Sequence, residues 1–316
     1  MNITIDGAIF GLQQNGGISR LWRSLIPHLQ MALPDAQWNT GAPDVFISTY
    51  YEPKPAGAKS LVVVYDMIAE QYKPIGAHNA DAIKKRAAIA EADAVVTISK
   101  SVAADVQRFT GRQATTAYCG VDPTFRRATP ERVEAFRKQH GLDKPYVMTV
   151  GRRGLYKNIR ALYQAWGVWE HASHCYMLQI GGERELPEDA VFDNQFPGTR
   201  KQIQCDDATL AVAYSGAYAL VYPSYFEGFG LPILEAVMCG CPVIAGACDT
   251  VSELDEQIQQ LMIVYPHRPQ SIAFALNQLQ DGGIRLDMTL KAYEPARAFT
   301  WARMAHTIAE VVRSLE

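Results

Sequence analysis

The sequence predicts an α/β protein built from two doubly wound, Rossmann-like domains that face each other across a cleft. Short apolar runs alternate with helix-spaced segments almost throughout, the pattern of parallel strands joined by crossover helices. A length of 316 residues suits about two domains. Between residues 141 and 145 a Gly and a Pro flank a polar segment just ahead of a fresh apolar run, which marks the division. The expected domains are residues 1–143 and 144–301.

Composition narrows the class. A hydrophobic content of 48% suits a globular chain with a sizeable core. No apolar run approaches the roughly 18 residues that span a bilayer. The start, MNITID, lacks a basic region followed by an apolar stretch, so no signal peptide is expected. Of the six cysteines only Cys239 and Cys241 are close neighbours, a poor pattern for zinc and one that suits free thiols in a reducing compartment. These features point to a cytoplasmic protein. The net charge of −3 combines a mildly basic first half with an acidic second half, without the basic excess and interleaved aromatics of a nucleic-acid groove.

In the first half, strand-like runs fall at residues 3–5, 45–48, 61–65, 94–98 and 115–118. After the first, Asn15, Gly16 and Gly17 precede a helix whose stripe is Ile18, Leu21, Trp22, Leu25, Ile26 and Leu29. A Gly pair at such a junction either cradles a phosphate or simply turns. Arg20 is either a ligand contact or an exposed helix charge. The run 61–65 ends in Tyr65 and Asp66. A phenol, with a pKa near ~10, is a poor general base at neutral pH. Asp66 either binds acceptor hydroxyls or caps the segment that follows. Lys84, Lys85 and Arg86 form a solvated helix face or, on the logic of basic amphipathic helices, a peripheral membrane contact. Ser99 is placed to cap a helix over 102–109.

In the second half, runs at 146–150, 177–180, 219–222, 242–244 and 262–264 read as strands. The first leads into Gly151, Arg152, Arg153, Gly154, Leu155, Tyr156, Lys157 and Asn158. Three cations beside a Gly-containing turn suit a doubly charged leaving group: Arg holds phosphate oxygens bidentately and Lys acts as a point charge. The richest stretch is 222–242, YPSYFEGFGLPILEAVMCGCP. Gly228 and Gly230 let backbone approach a ligand closely, and Pro232 fits a first helical turn. The free N–H groups there suit an anion such as a diphosphate. Glu227 lies before that helix and Glu235 within it, eight positions apart. Thr250 sits in a small polar group ahead of another helix.

The spacing of Glu227 and Glu235, with the surrounding EGFGLP and CGCPVI, resembles the Glu-x7-Glu motif of the retaining, nucleotide-sugar-dependent GT4 glycosyltransferases, which have the GT-B fold. The runs GGISR, EADAVVTISKS and CGVDPTF are similar to GT4 segments too, so the resemblance covers nearly the full length. It implies a hexosyltransferase-type enzyme that moves a sugar from a nucleotide sugar, of the GDP-mannose or UDP-sugar type, to a hydroxyl of a glycan or lipid-linked acceptor. The setting it implies is polysaccharide or glycolipid synthesis, at the inner face of the membrane if Lys84 to Arg86 dock there.

Carried over residue by residue, the resemblance implies that Glu227 orients the donor sugar and Glu235 holds the ribose. Lys157 and either Arg152 or Arg153, with Arg153 preferred, clamp the diphosphate. Gly16, Gly17, Phe229, Gly230, Leu231 and Thr250 line the donor site, and Asp66 binds the acceptor. Tyr65 stands where the family commonly has His. The final helix, about 302–316, is implied to cross back onto the first domain, with Trp301 as packing. No pair of carboxylates suits a double displacement. The chain has no Asp-x-Asp, so no metal is expected. The alternatives are a nucleotide-sugar-binding protein without transferase activity and a GT-B epimerase or phosphorylase.

Overall fold

The computed structural model describes every residue except 15, 73, 74, 77, 183 and 184. Asn15 of the Gly-pair loop therefore lies outside the described residues. The chain divides into two compact units, Met1–Asp122 with Phe299–Glu316, and Pro123–Ala298.

The first unit holds a sheet of β1 (Asn2–Ile5), β2 (Gln37–Trp38), β3 (Val45–Ser48), β4 (Lys59–Val64), β5 (Ala94–Thr97) and β6 (Thr115–Thr116), in the order β2-β1-β3-β4-β5-β6. Every pairing is parallel, so each connection must cross over. The connecting helices are α1 (Ala8–Leu12), α2 (Gly17–Ala32), α3 (Ile68–Gln71), α4 (Ala80–Glu91) and α5 (Lys100–Thr110). The α2 stripe of Leu21, Trp22, Leu25 and Leu29 is buried. Ser99 Oγ accepts from the Val102 N–H at 3.1 Å and caps α5.

The second unit opens with α6 (Pro130–Gln139) and holds a second parallel sheet: β7 (Tyr146–Val150), β8 (Tyr176–Ile180), β9 (Arg200–Ile203), β10 (Ala219–Tyr222), β11 (Val243–Gly246) and β12 (Met262–Val264), in the order β12-β11-β10-β7-β8-β9. Its helices are α7 (Ile159–Trp166), α8 (Pro187–Gln195), α9 (Asp207–Gly216), α10 (Leu231–Met238), α11 (Asp249–Ile258), α12 (Pro269–Gln278) and α13 (Gly282–Ala296). Leu162 and Trp166 of α7 and Ile272 and Leu276 of α12 meet Met177, Val221 and Ile244 of the sheet in one core cluster.

Two features depart from expectation. The division falls after Asp122, ahead of the expected 143/144 boundary, because α6 packs on α9 of the second unit. The connecting turn at 141–145 thus lies inside that unit. The cations of α4 form neither a solvated face nor a free basic surface. Lys85 is buried against Glu70 at 2.8 Å, Arg86 reaches the same carboxylate at 3.3 Å, and Lys84 pairs with Glu52.

The last helix, α14 (Trp301–Arg313), packs on α2 through Met304, Ile308 and Val312, and belongs to the first unit. Gly120 makes its entry possible: a Cβ there would stand 2.1 Å from the Trp301 backbone nitrogen. Among the described residues no helix is long and apolar enough to cross a membrane.

Candidate active site

Both sheets reverse their direction of growth at one point, between β1 and β3 in the first and between β7 and β10 in the second. In open parallel sheets, ligands bind outside the carboxyl ends of the strands at such switch points. The second switch point is where the two most informative stretches of the sequence emerge, 151–158 after β7 and 223–230 after β10.

These two loops are stitched together by backbone and amide groups. Gly151 leaves β7 at φ 92°, in the left-handed region that favours Gly. Asn158 sits at φ 54°, and its side-chain Nδ2 donates to the carbonyls of Pro223 (3.1 Å) and Pro266 (2.6 Å). The Tyr225 N–H donates to the Tyr156 carbonyl at 2.8 Å. Gly230, at φ 96°, turns the chain into α10 with Pro232 in its first turn. Gly246 at the end of β11 is pressed against the same loop: a Cβ would lie 2.6 Å from the Ser224 carbonyl oxygen.

The result brings Lys157 and Glu227 together. Lys157 Nζ lies 2.7 Å from Glu227 Oε1 and 2.8 Å from the Tyr222 hydroxyl. It also lies over the rings of Tyr222 and Tyr156, at 4.8 and 5.3 Å from their centroids. Burial pushes the Tyr222 phenol well above its ordinary pKa, and the neighbouring Glu227 carboxylate raises it further. Tyr222 therefore stays a neutral donor. Thr250 is buried and its Oγ1 donates to the Glu227 carbonyl at 2.7 Å, so it holds the loop that carries the glutamate. Phe229 is buried beneath the loop, and Leu231 opens α10.

The two arginines part company. Arg152 is exposed on the turn. Arg153, the preferred clamp from the sequence, turns inward with only 4% of its side chain exposed. Its Nη1 donates to Gln179 Oε1 at 3.0 Å and to the buried Asp189 of α8. Asp189 also accepts from the Tyr163 hydroxyl and from the Leu186 N–H at 2.8 Å. Burial would raise its pKa, but those hydrogen bonds and the Arg153 guanidinium outweigh burial and hold the carboxyl below the usual carboxylate range. Arg153 thus anchors the turn to α8, because releasing its guanidinium would leave the buried Asp189 with only the more distant Arg200, at 3.8 Å.

Glu235 is 2% exposed, and its Oε2 accepts from the Tyr214 hydroxyl of α9 at 3.2 Å. In this arrangement it braces α9 against α10 instead of presenting acceptors to solvent. Off the stripe expected for α10, it is nonetheless buried with that helix's apolar residues.

In the first unit, Gly16 and Gly17 form the N-terminus of α2, with the Gly16 N–H donating to Ser19 Oγ at 3.0 Å. Asp66, half-buried just after β4, turns the chain into α3: its Oδ1 accepts from the Ile68 N–H at 3.0 Å, and Lys85 Nζ donates to its carbonyl at 3.0 Å. Tyr65 is buried. Its hydroxyl accepts from Trp22 Nε1 at 2.6 Å and donates to the Thr49 carbonyl at 2.7 Å.

Sequence reasoning missed Tyr222, Asn158 and Asp189. Tyr222 had a signal, a polar-tipped residue closing a buried strand directly before the Gly-rich loop. Asn158 had a weaker one, a left-handed residue type ahead of a helix. Asp189 had none beyond an acid in a first helical turn.

Comparison with known proteins extends the picture. A family model described as glycosyl transferases group 1 matches residues 132–295. The O-antigen chain mannosyltransferase B of Escherichia coli is 34% identical over 164 residues, covering 49% of this chain and 42% of that protein. The chain spans about half the length, or less, of the curated relatives it matches. Among solved structures, Anabaena HepE in complex with UDP-glucose superposes with a TM-score of 0.79 at 16% identity, over 99% of both chains. WaaG, a glycosyltransferase of lipopolysaccharide biosynthesis, superposes with a TM-score of 0.77 at 13% identity, over 99% of both chains. At such identities the likeness shows the GT-B fold.

Proposed function

The chain belongs to the group 1 glycosyl transferases, and from that premise we propose that it is a retaining hexosyltransferase that uses a nucleotide-sugar donor. The observation that carries the reading is the meeting of Lys157 and Glu227 at the second switch point, beside the N-terminus of α10. The difficult event in such a transfer is departure of a nucleoside diphosphate from an oxocarbenium-like carbon. Lys157, the exposed Arg152 and the N–H groups of Gly230 and Leu231 at the start of α10 suit the charge that develops on the diphosphate. Arg153 fixes the turn that delivers them. Glu227 orients the sugar through its hydroxyls, and Thr250 holds Glu227 in place.

Attack comes from the face the diphosphate leaves. The anomeric C–O bond breaks with its electron pair on the phosphate oxygen, the acceptor oxygen bonds to that carbon, and the acceptor's proton passes to the departing phosphate. The positive charge for this comes from side chains and helix N–H groups, and the reaction proceeds without a divalent metal. Asp66, half-buried just after β4, suits an acceptor hydroxyl. GDP-mannose and UDP-glucose are the first donors to try, the one suggested by a mannosyltransferase relative and the other by the HepE complex. A glycan or lipid-linked acceptor of surface polysaccharide synthesis fits the same relatives.

The test is incubation with both donors, with and without EDTA, following nucleoside diphosphate release and the anomeric configuration of the product by NMR. Release with retained configuration, unaffected by EDTA, is expected. Tight binding without turnover would make the chain a nucleotide-sugar-binding protein, and loss with EDTA restored by Mn²⁺ would overturn the metal-free reading.

A further inference from the structure

Lys157 and Glu227 are both assigned to the donor, and they also pair with each other. Their side chains are 18% and 7% exposed. The pair is closed on a third side by Tyr222, whose hydroxyl accepts from Lys157 at 2.8 Å. An ammonium has three N–H donors, and here one goes to Glu227 and one to Tyr222. These two bonds hold the ammonium against Glu227 and Tyr222, so a diphosphate that draws Lys157 towards itself competes with them for its position.

That competition is unequal between substrate and product. With the intact donor in place, the sugar hydroxyls give Glu227 replacement hydrogen bonds, so surrendering Lys157 leaves no acceptor unpaired. A nucleoside diphosphate offers none. It leaves a partly buried carboxylate beside a polyanion, with both like-charge repulsion and an unsatisfied acceptor set against binding. We propose that Glu227 acts as a product-release latch: once the sugar has gone, its carboxylate reclaims Lys157, with Tyr222 as the fixed point between them, and weakens the hold on the nucleoside diphosphate. The inference rests on the donor-site reading above and adds a second task to Glu227, which holds the sugar before transfer and displaces the diphosphate after it.

The latch makes an unusual demand: removing the charge of a residue needed for transfer should tighten the site's grip on the product. The test is isothermal titration of UDP, GDP and inorganic pyrophosphate into the wild-type chain, Glu227→Gln, Lys157→Ala and the double variant. Glu227→Gln keeps the shape and hydrogen-bonding reach of the side chain and loses its charge. It should bind the best of the three ligands about tenfold more tightly than wild type, a size in keeping with removal of a close charged competitor. Lys157→Ala should bind more weakly than wild type, and in the double variant the gain should largely vanish, because the carboxylate acts mainly through that ammonium. If Glu227→Gln binds no more tightly, or if the gain survives in the double variant, the latch is wrong. Far-UV circular dichroism and Tm establish that each variant is folded, and Glu227→Ala repeats the comparison should the Gln variant fold poorly. Donor turnover by the wild type separates the two ideas. Turnover without tightening removes the latch and keeps the transferase; no turnover together with no binding by any variant removes both.

Discussion

Two strand ends invite comparison: the turn of Lys157 after β7 in the second unit, and the corner of Tyr65 and Asp66 after β4 in the first. Both lie at carboxyl ends of parallel strands, where α/β proteins place their ligands. The first stands at the point where its sheet reverses direction; the second stands one strand away from the corresponding point, between β1 and β3. At Lys157 charged groups meet each other, partly exposed, on loops held by backbone hydrogen bonds. At Tyr65 a phenol is 4% exposed, with its oxygen committed to Trp22 and to the Thr49 carbonyl. Burial raises its pKa far above the ordinary value, against the lowering effect of the Trp22 hydrogen bond. A strand end therefore becomes a chemical site only where its polar groups retain something to exchange with a ligand. Tyr65 has spent its proton on the scaffold.

The comparison can be broken most sharply at its supports. Asp189→Ala leaves the Arg153 guanidinium buried without its carboxylate, and breaking such a pair costs about 3–5 kcal/mol. Chemical denaturation should show that loss, and a change below 1 kcal/mol would mean that Arg153 is not anchored as described. Lys157→Ala should reduce kcat/KM for the donor by roughly 10²–10³-fold, the size expected for one preorganised donor to developing charge, with Tm close to wild type. Tyr65→Phe removes two hydrogen-bonded contacts inside a packed site and should cost about 1–3 kcal/mol of stability.

The mildest effect is on pH. Because the folded-state pKa of Asp189 is depressed, its contribution is complete above the unfolded value, about 3.9, and is lost as pH falls through the lower folded value. The stability gap between wild type and Asp189→Asn should thus be constant near neutrality and shrink below about pH 4. A gap that widens on acidification would contradict the assigned direction.

Much of the fold was legible because buried parallel strands are nearly continuous apolar runs. Ten of the twelve strands could be placed from such runs. The two that could not, β2 and β9, are edge strands of polar composition, Gln37 with Trp38, and Arg200, Lys201, Gln202 with Ile203. At an edge one flank faces no partner strand, and apolarity is not required. The site was legible where a residue type has one job: Gly230 at positive φ and Pro232 in a first turn. It was not legible where partners come from distant segments. Nothing near Arg153 announces Asp189, thirty-six residues on, and nothing near Glu235 announces Tyr214. The basic run of α4 misled for the same reason, since Glu70 and Glu52 lie outside its helix.

The central claim is that the donor chemistry belongs to the corner of Lys157 and Glu227, and that Tyr65 is scaffold. One measurement bears on it most directly: nucleoside diphosphate release from UDP-glucose and GDP-mannose by Lys157→Ala and Tyr65→Phe, side by side with the wild type. Lys157→Ala is expected to lose at least about 10²-fold while Tyr65→Phe, at a temperature where it is folded, turns over like wild type. Wild-type release by Lys157→Ala, or a comparable loss in folded Tyr65→Phe, would contradict it.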